Sequence, residues 1–320
     1  MTALLADIGG TNARFALLHG AVLGPPLVLQ VSAFPSTEAA LAEALRRLEP
    51  AAPVRQAVLA LAGPVPEDGT PAQLTNAPWR FDAAALAARF GLARVRLVND
   101  FLAQAHALPH LAEADLLRIG GGTAMPGAPM LVLGPGTGLG AAGLLPGANP
   151  IAIPTEGGHI GLAAADAAQE AVIAALRQRT GRAGAEEALS GRGLAALHAI
   201  LAASQGVAVP MRDAAAVMAA AGTCPIATAT RAMFLDLLAG YAGDMALAWG
   251  ARGGVFLAGG ILPRLADTLD VQRFRAAFEA KAPMQSYMTA IPLALVMHPM
   301  PAFLGLGALA RQGLPDAASI

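Results

Sequence analysis

The chain has 320 residues, 55% of them hydrophobic and 13% charged, with a formal net charge of −1. Such a chain can bury a large core and reads as two domains, not as a disordered segment. It offers no basic surface for nucleic acid or for an anionic membrane. A single cysteine, Cys224, excludes an internal disulfide framework and any multi-cysteine zinc site. Lys281 is the sole lysine, in a Glu-Ala-Lys-Ala-Pro context. That rules out a Walker-A loop, which needs Gly-Lys-Ser/Thr, and a Schiff-base lysine of the pyridoxal-phosphate type. No basic n-region precedes Asp7, so no signal peptide is expected and a cytoplasmic location is.

From the start, Ala3–Ile8 reads as a strand, Gly9-Gly10-Thr11-Asn12 as a tight turn and Ala13–Leu18 as a second strand. Glycines in that turn let backbone N–H groups approach a ligand, although an ordinary hairpin would use them equally. Asp7 tilts the balance, because a carboxylate inside an apolar strand is costly unless paired, hydrogen-bonded or near a metal. Val22–Val31 reads as a third antiparallel strand, Thr37–Leu48 as a helix and Gln56–Ala62 as a buried strand. Around Asn76 the chain is short and polar, and the Asn76 amide suits either a turn or a polyol substrate. Asp82–Phe90 is a helix. The run Val95, Leu97, Val98 is a buried strand ending at Asn99-Asp100, where a helical pattern begins at once. Open α/β sheets bind ligands at that end of a strand. Asp100 therefore reads either as the N-cap of the helix from Phe101 or as a working carboxylate, and the dipeptide alone favours the cap.

No charge occurs between Arg118 and Glu156, but Gly134, Pro135, Gly136, Gly138, Gly140 and Gly143 would break a membrane-spanning helix there. Met130–Gly134 and Leu139–Leu145 read as strands around Pro135-Gly-Thr-Gly138. This repeats the Gly9-Gly10-Thr11 hairpin and suggests an internal duplication with two phosphate-facing turns. Each turn leads into a strand, unlike P-loop and dinucleotide-binding fingerprints, which lead into a helix. Strand Ile151–Pro154 runs into Thr155-Glu-Gly-Gly-His159, where Glu156 and His159 fit hydrogen bonding to a polar ligand better than a two-ligand zinc site. Ala167–Arg177 is helical, and Glu186-Glu187 precede a second helix through Leu201. Physics alone does not choose between those two acids. Thr228–Ala251 is a long helix with a Met and aromatic stripe that reads as core, and Cys224 as a small loop residue. Gly253–Ala258 is a buried strand closed by Gly259-Gly260, Ile291–Met297 a last strand and Ala302–Arg311 a terminal helix.

Seven stretches together resemble the bacterial glucokinase family of the hexokinase and actin-like ATPase superfamily. They are Ala6-Asp-Ile-Gly-Gly-Thr-Asn-Ala-Arg14, Leu74-Thr-Asn76 with Trp79, Val98-Asn-Asp-Phe101, Leu133-Gly-Pro-Gly-Thr-Gly-Leu-Gly140, Glu156-Gly-Gly-His159, Leu189-Ser-Gly-Arg-Gly193 and Phe256-Leu-Ala-Gly-Gly-Ile-Leu-Pro-Arg264. One departure stands out: Arg192 lies where the family pattern usually has proline, a loop change expected to leave the chemistry intact. The resemblance implies an α/β, two-domain hexokinase/actin-like (ribonuclease H-like) fold with an interdomain cleft. Residues 1–109 with 298–320 would form the small domain and 110–297 the large one.

It further implies ATP-dependent phosphorylation of glucose at the 6-hydroxyl, with Asp100 as general base. Asn76, Asn99, Glu156, His159 and Glu186 would be sugar ligands, Glu186 being favoured because it lies four residues before Ser190. Ala6, Asp7, Ile8, Gly9, Gly10 and Thr11, with Gly136, Thr137 and Gly138, would bind the triphosphate. Gly259 and Gly260 would lie near adenosine, and Asp7 would hold Mg2+ through water. A homodimer is the family's tendency. Two other classes compete: a sugar-sensing regulator without turnover, which the intact Asp100 argues against, and a filament-forming ATPase, which has no need of a polyol cluster.

Overall fold

A computed structural model describes residues 2–66, 70–74, 77–208 and 213–312. It divides into two compact units, Met1–Leu111 with Pro299–Ile320, and Ala112–His298.

In the first unit the elements run β1 (Thr2–Ile8), β2 (Asn12–His19), β3 (Val22–Leu23), β4 (Leu27–Gln30), α1 (Thr37–Leu48), β5 (Val54–Leu61), β6 (Ala72–Gln73), β7 (Arg80–Phe81), α2 (Ala83–Phe90), β8 (Arg94–Asn99) and α3 (Asp100–Ala107). The helix Pro301–Arg311 returns from the far end of the chain to complete this unit. The expected strand over 22–31 is broken in two at Gly24-Pro25-Pro26, because consecutive prolines lack the N–H a ladder needs. Both pieces still pair antiparallel with β2. The sheet order is β3-β2-β1-β5-β8, with β1, β5 and β8 parallel. Strand parity gives this sheet two cores. Leu4, Ala6 and Ile8 face one cluster with α1 and α2, whereas Ala3 and Leu5 face another with Phe303 and Leu306 of the last helix. Being buried on both faces is why β1 reads as one continuous apolar run.

The second unit contains β9 (Leu116–Arg118), β10 (Met130–Pro135), β11 (Leu139–Leu145), β12 (Ile151–Thr155), α4 (Ala167–Thr180), α5 (Gly191–Ser204), α6 (Ala214–Ala220), α7 (Pro225–Trp249), β13 (Gly254–Leu257), α8 (Val271–Glu279), α9 (Gln285–Thr289) and β14 (Leu293–Val296). The last helix of the chain, in the first unit, is then α10 (Pro301–Arg311). The sheet of the second unit runs β12-β11-β10-β13-β14-β9. Three antiparallel strands followed by two parallel ones repeat the order of the first sheet, as the paired glycine hairpins suggested. The uncharged stretch supplies β10 to β12. Among the described residues no helix is long and apolar enough to cross a membrane. Helix α7 is buried on most of its sides, with Phe234, Leu237, Leu238, Tyr241 and Met245 in the core. Cys224 lies, as expected, in the loop before α7, its extended backbone forming the N-cap position without a side-chain cap bond.

Candidate active site

At one edge of the first sheet the ends of β1, β5 and β8 align, with Ile8 beside Leu61 and Leu61 beside Asn99. Asp7, the Gly9–Thr11 turn and Asn99-Asp100 therefore share that edge. Gly9 N–H closes the turn on the Asn12 carbonyl at 3.0 Å. Asp7 has the parity of Ala3 and Leu5, the face packed against α10, with Ala103 of α3 in the same cluster. Its cross-strand partner is Arg14, whose Nη1 lies 3.5 Å from Asp7 Oδ2, with 24% of the Asp7 side chain exposed. Burial raises the Asp7 pKa above the ordinary carboxylate range, and Arg14 offsets part of that rise. Counting register outward from the turn would have found Arg14, which the sequence reading passed over. Ala6 and Ile8 are fully buried in the core. Their side chains serve packing and hold Asp7 and the turn in place.

The N-cap of α3 is Asn99, not Asp100. Asn99 Oδ1 accepts from the N–H groups of Phe101 (2.9 Å) and Leu102 (3.3 Å), while its Nδ2 donates to the Gly63 carbonyl at 3.1 Å. Capping by the residue before it leaves Asp100 as the first residue of the helix, with its Oδ1 accepting from Phe101 N–H at 2.9 Å. Burial pushes the Asp100 pKa up to about 7, and repulsion from Asp7 adds to the rise. Hydrogen bonds from Phe101 and Asn99 oppose it. A carboxylate poised near neutrality, at the end of a parallel strand, suits proton transfer. Asn76 lies outside the described residues. Trp79, from the same sequence stretch, is a core residue whose Nε1 donates to the Phe34 carbonyl at 3.0 Å.

In the second unit, Leu139 at the start of β11 anchors two of the predicted elements. Its N–H donates to Glu186 Oε2 at 2.9 Å. Its carbonyl lies so close to Gly158 that a β-carbon there would stand 2.1 Å away. The hairpin turn closes with Gly136 N–H on the Gly138 carbonyl (2.8 Å), and Gly191 N–H at the start of α5 donates to the Gly136 carbonyl (2.9 Å). Ser190 caps that helix by accepting from Gly193 N–H at 3.0 Å. The choice left open between Glu186 and Glu187 is geometric: Glu186 turns toward the hairpin with 18% of its side chain exposed, and Glu187 faces solvent. Arg192 donates from Nη2 to Glu186 Oε1 at 3.3 Å, so the departure from the family pattern touches a predicted sugar ligand. A spacing of six residues carries no periodic signal that would have found this pair.

Glu156 and His159 flank a single 3-10 turn, with Oε2 and Nε2 3.7 Å apart and 80% and 64% of their side chains exposed. A bridge between Gly161 and Gly184, and the Ala185 N–H donating to the Ile160 carbonyl at 2.8 Å, tie this turn to the segment bearing Glu186. Glu156, His159 and Glu186 thus gather around the second glycine hairpin. Gly259, at φ +91°, follows β13 where a β-carbon would stand 2.5 Å from the Pro135 carbonyl, and Gly260 beside it is exposed. Among the described residues no group of three His, Cys, Asp or Glu could cage a metal ion. Magnesium needs no such cage beside phosphates: one partly buried carboxylate such as Asp7, with waters, fits it.

This pair of sheets with their two glycine hairpins is the α/β fold of sugar kinases in the hexokinase and actin-like ATPase class. The glucokinase from an Antarctic psychrotroph superposes with a TM-score of 0.86 at 35% identity, covering 98% of this chain and 99% of that one. A ROK family glucokinase from Streptomyces griseus, in complex with glucose and AMPPNP, shares the fold at 17% identity with a TM-score of 0.66, covering 98% and 100%. The family model described as Glucokinase matches residues 4–313. A glucokinase of Paramagnetospirillum magneticum is 40% identical over 316 residues, 96% of each chain. The chain belongs to the glucokinase family.

Proposed function

We propose that Asp100 is the general base of ATP-dependent glucose phosphorylation by this chain. The 6-hydroxyl proton passes to an Asp100 oxygen, O6 bonds the γ-phosphorus, and the bond from phosphorus to the ADP oxygen breaks. The observation that carries this reading is the half-buried Asp100 carboxylate at the carboxyl ends of the parallel strands β5 and β8, the end at which open α/β sheets bind ligands, where desolvation and nearby Asp7 push its pKa up to about 7.

Asn76, Asn99, Glu156, His159 and Glu186 hold the sugar. The Asn99 amide has a second N–H beyond the one given to Gly63, and the Glu186 carboxylate has lone pairs beyond those used by Leu139 and Arg192. Main-chain N–H groups of Gly9, Gly10 and Thr11, and of Gly136, Thr137 and Gly138, cradle the triphosphate without a lysine. Gly259 and Gly260 lie near adenosine, with open space where a Gly260 side chain would stand. Magnesium, when bound, neutralises phosphate charge, and Asp7 would hold it through water. Closure on glucose excludes water as a competing acceptor. A cytoplasmic homodimer is the setting this reading expects.

Two measurements test it. ADP release should be strongly stimulated by glucose; sugar-independent release would instead favour a filament ATPase, and none at all a sensor. Because the base must be unprotonated, kcat/KM for glucose should fall as pH drops, with a limb at or somewhat below about 7, since magnesium offsets the charge of Asp7. A profile flat down to pH 5 would remove Asp100 from the proton transfer.

A further inference from the structure

Beneath the Glu156–His159 turn lies a polar atom that packing does not explain. Tyr241 on α7 is 3% exposed, and its hydroxyl has no hydrogen-bond partner among the described residues. A β-carbon on Gly157 would stand 3.3 Å from that hydroxyl, 2.7 Å from Met245 Cε and 3.4 Å from Thr155 Oγ1. The turn is therefore clamped between α7 on one side and the Leu139 carbonyl on the other. Its two glycines are buried while Glu156 and His159 project outward. Phenylalanine would fill the same space, and a buried hydroxyl without a partner costs about 1–3 kcal/mol.

We infer that Tyr241 is a positioning residue for the glucose loop, its hydroxyl held under Gly157 as a donor to the loop's main chain when Glu156 and His159 engage the hexose. The loop's main chain has acceptor capacity to spare. The Glu156 and Gly157 carbonyls each accept one bond, from His159 N–H (3.0 Å) and Ile160 N–H (3.1 Å), and each keeps a second lone pair. Burial pushes the phenol's pKa up, so it stays a donor at any working pH. The inference rests on Glu156 and His159 being sugar ligands, as proposed above.

Tyr241→Phe tests it. KM for glucose should rise about 3–10-fold, as for one lost hydrogen bond, with kcat and KM for ATP within about twofold. Without glucose the variant should melt at the same temperature or higher, and saturating glucose should raise its Tm less than in the parent. An unchanged glucose KM, or a lower melting temperature without glucose, would overturn the inference, the latter by showing a permanent structural bond. Glu156→Gln separates the two levels. If it keeps the parent KM for glucose, the sugar-site reading itself fails; if it loses glucose saturation while Tyr241→Phe behaves as the parent, only the role of Tyr241 falls.

Discussion

Asp100→Asn is expected to bind glucose nearly as the parent does and to lose about 10²- to 10⁴-fold in kcat, the usual contribution of a positioned general base. Asparagine keeps the shape and can still meet the Phe101 N–H, so α3 and its Asn99 cap survive. The substitution also separates chemistry from stability. The Asp100 pKa stands near 7 when folded against an ordinary 3.8, so between those values the folded chain binds a proton that the unfolded chain releases. Stability associated with the protonated group is complete below about 4 and is lost as pH rises through about 7. Asparagine resembles that protonated form. The variant should therefore melt higher than the parent at pH 8, by a few kcal/mol at roughly 1.4 kcal/mol per pH unit of the window, and the advantage should shrink to nothing near pH 4. Steady-state kinetics and melts at both pH values check this. Turnover within tenfold of the parent would discard the base.

Gly305→Ala should cost about 3 kcal/mol. On α10, a β-carbon at Gly305 would stand 1.8 Å from the Ala103 carbonyl and 2.9 Å from the Ala107 nitrogen of α3, both main-chain atoms with nowhere to go. The helices must separate, opening the packing beneath Phe303, Leu306 and Leu309. A loss of that size lowers Tm by roughly 4–5 °C at this length, from about 2.1 cal/mol/K of unfolding entropy per residue. Helix α3 begins with Asp100, so kcat should fall with stability. Gly307→Ala is the control. Its nearest neighbours would be the Arg311 side chain at 3.4 Å and Leu18 Cδ2 at 3.9 Å, and the better helix former should leave Tm equal or higher. Equal melting of the two variants would show that the close crossing of α3 and α10 does not limit stability.

Much of the architecture was legible because it is written in short-range signals. Strands β1, β5 and β10 are apolar runs ended by glycine or polar residues, and the helices over 37–48 and 83–90 begin behind the capping residues Ser36 and Asp82. The strand expected over 22–31 is interrupted by two prolines, a local signal present in the sequence itself. Helices α6, α8 and α9 passed unread. Part of α8's docking depends on a buried arginine, Arg275, that donates to the Ile291 and Thr289 carbonyls at 2.9 Å each, and no periodicity marks such an anchor.

By itself, then, the order of residues determined the two glycine hairpins, the strand ends that carry Asp7 and Asp100, and the family to which the chain belongs, because hydrophobic period and turn chemistry act over a few residues. Which residue caps α3, which of Glu186 and Glu187 turns inward, that Arg192 reaches Glu186, and that Tyr241 lies under Gly157 were decided only by the tertiary structure. Those facts depend on atoms far apart in sequence meeting within about 3 Å, a distance set by how whole elements pack and by which buried polar groups find partners.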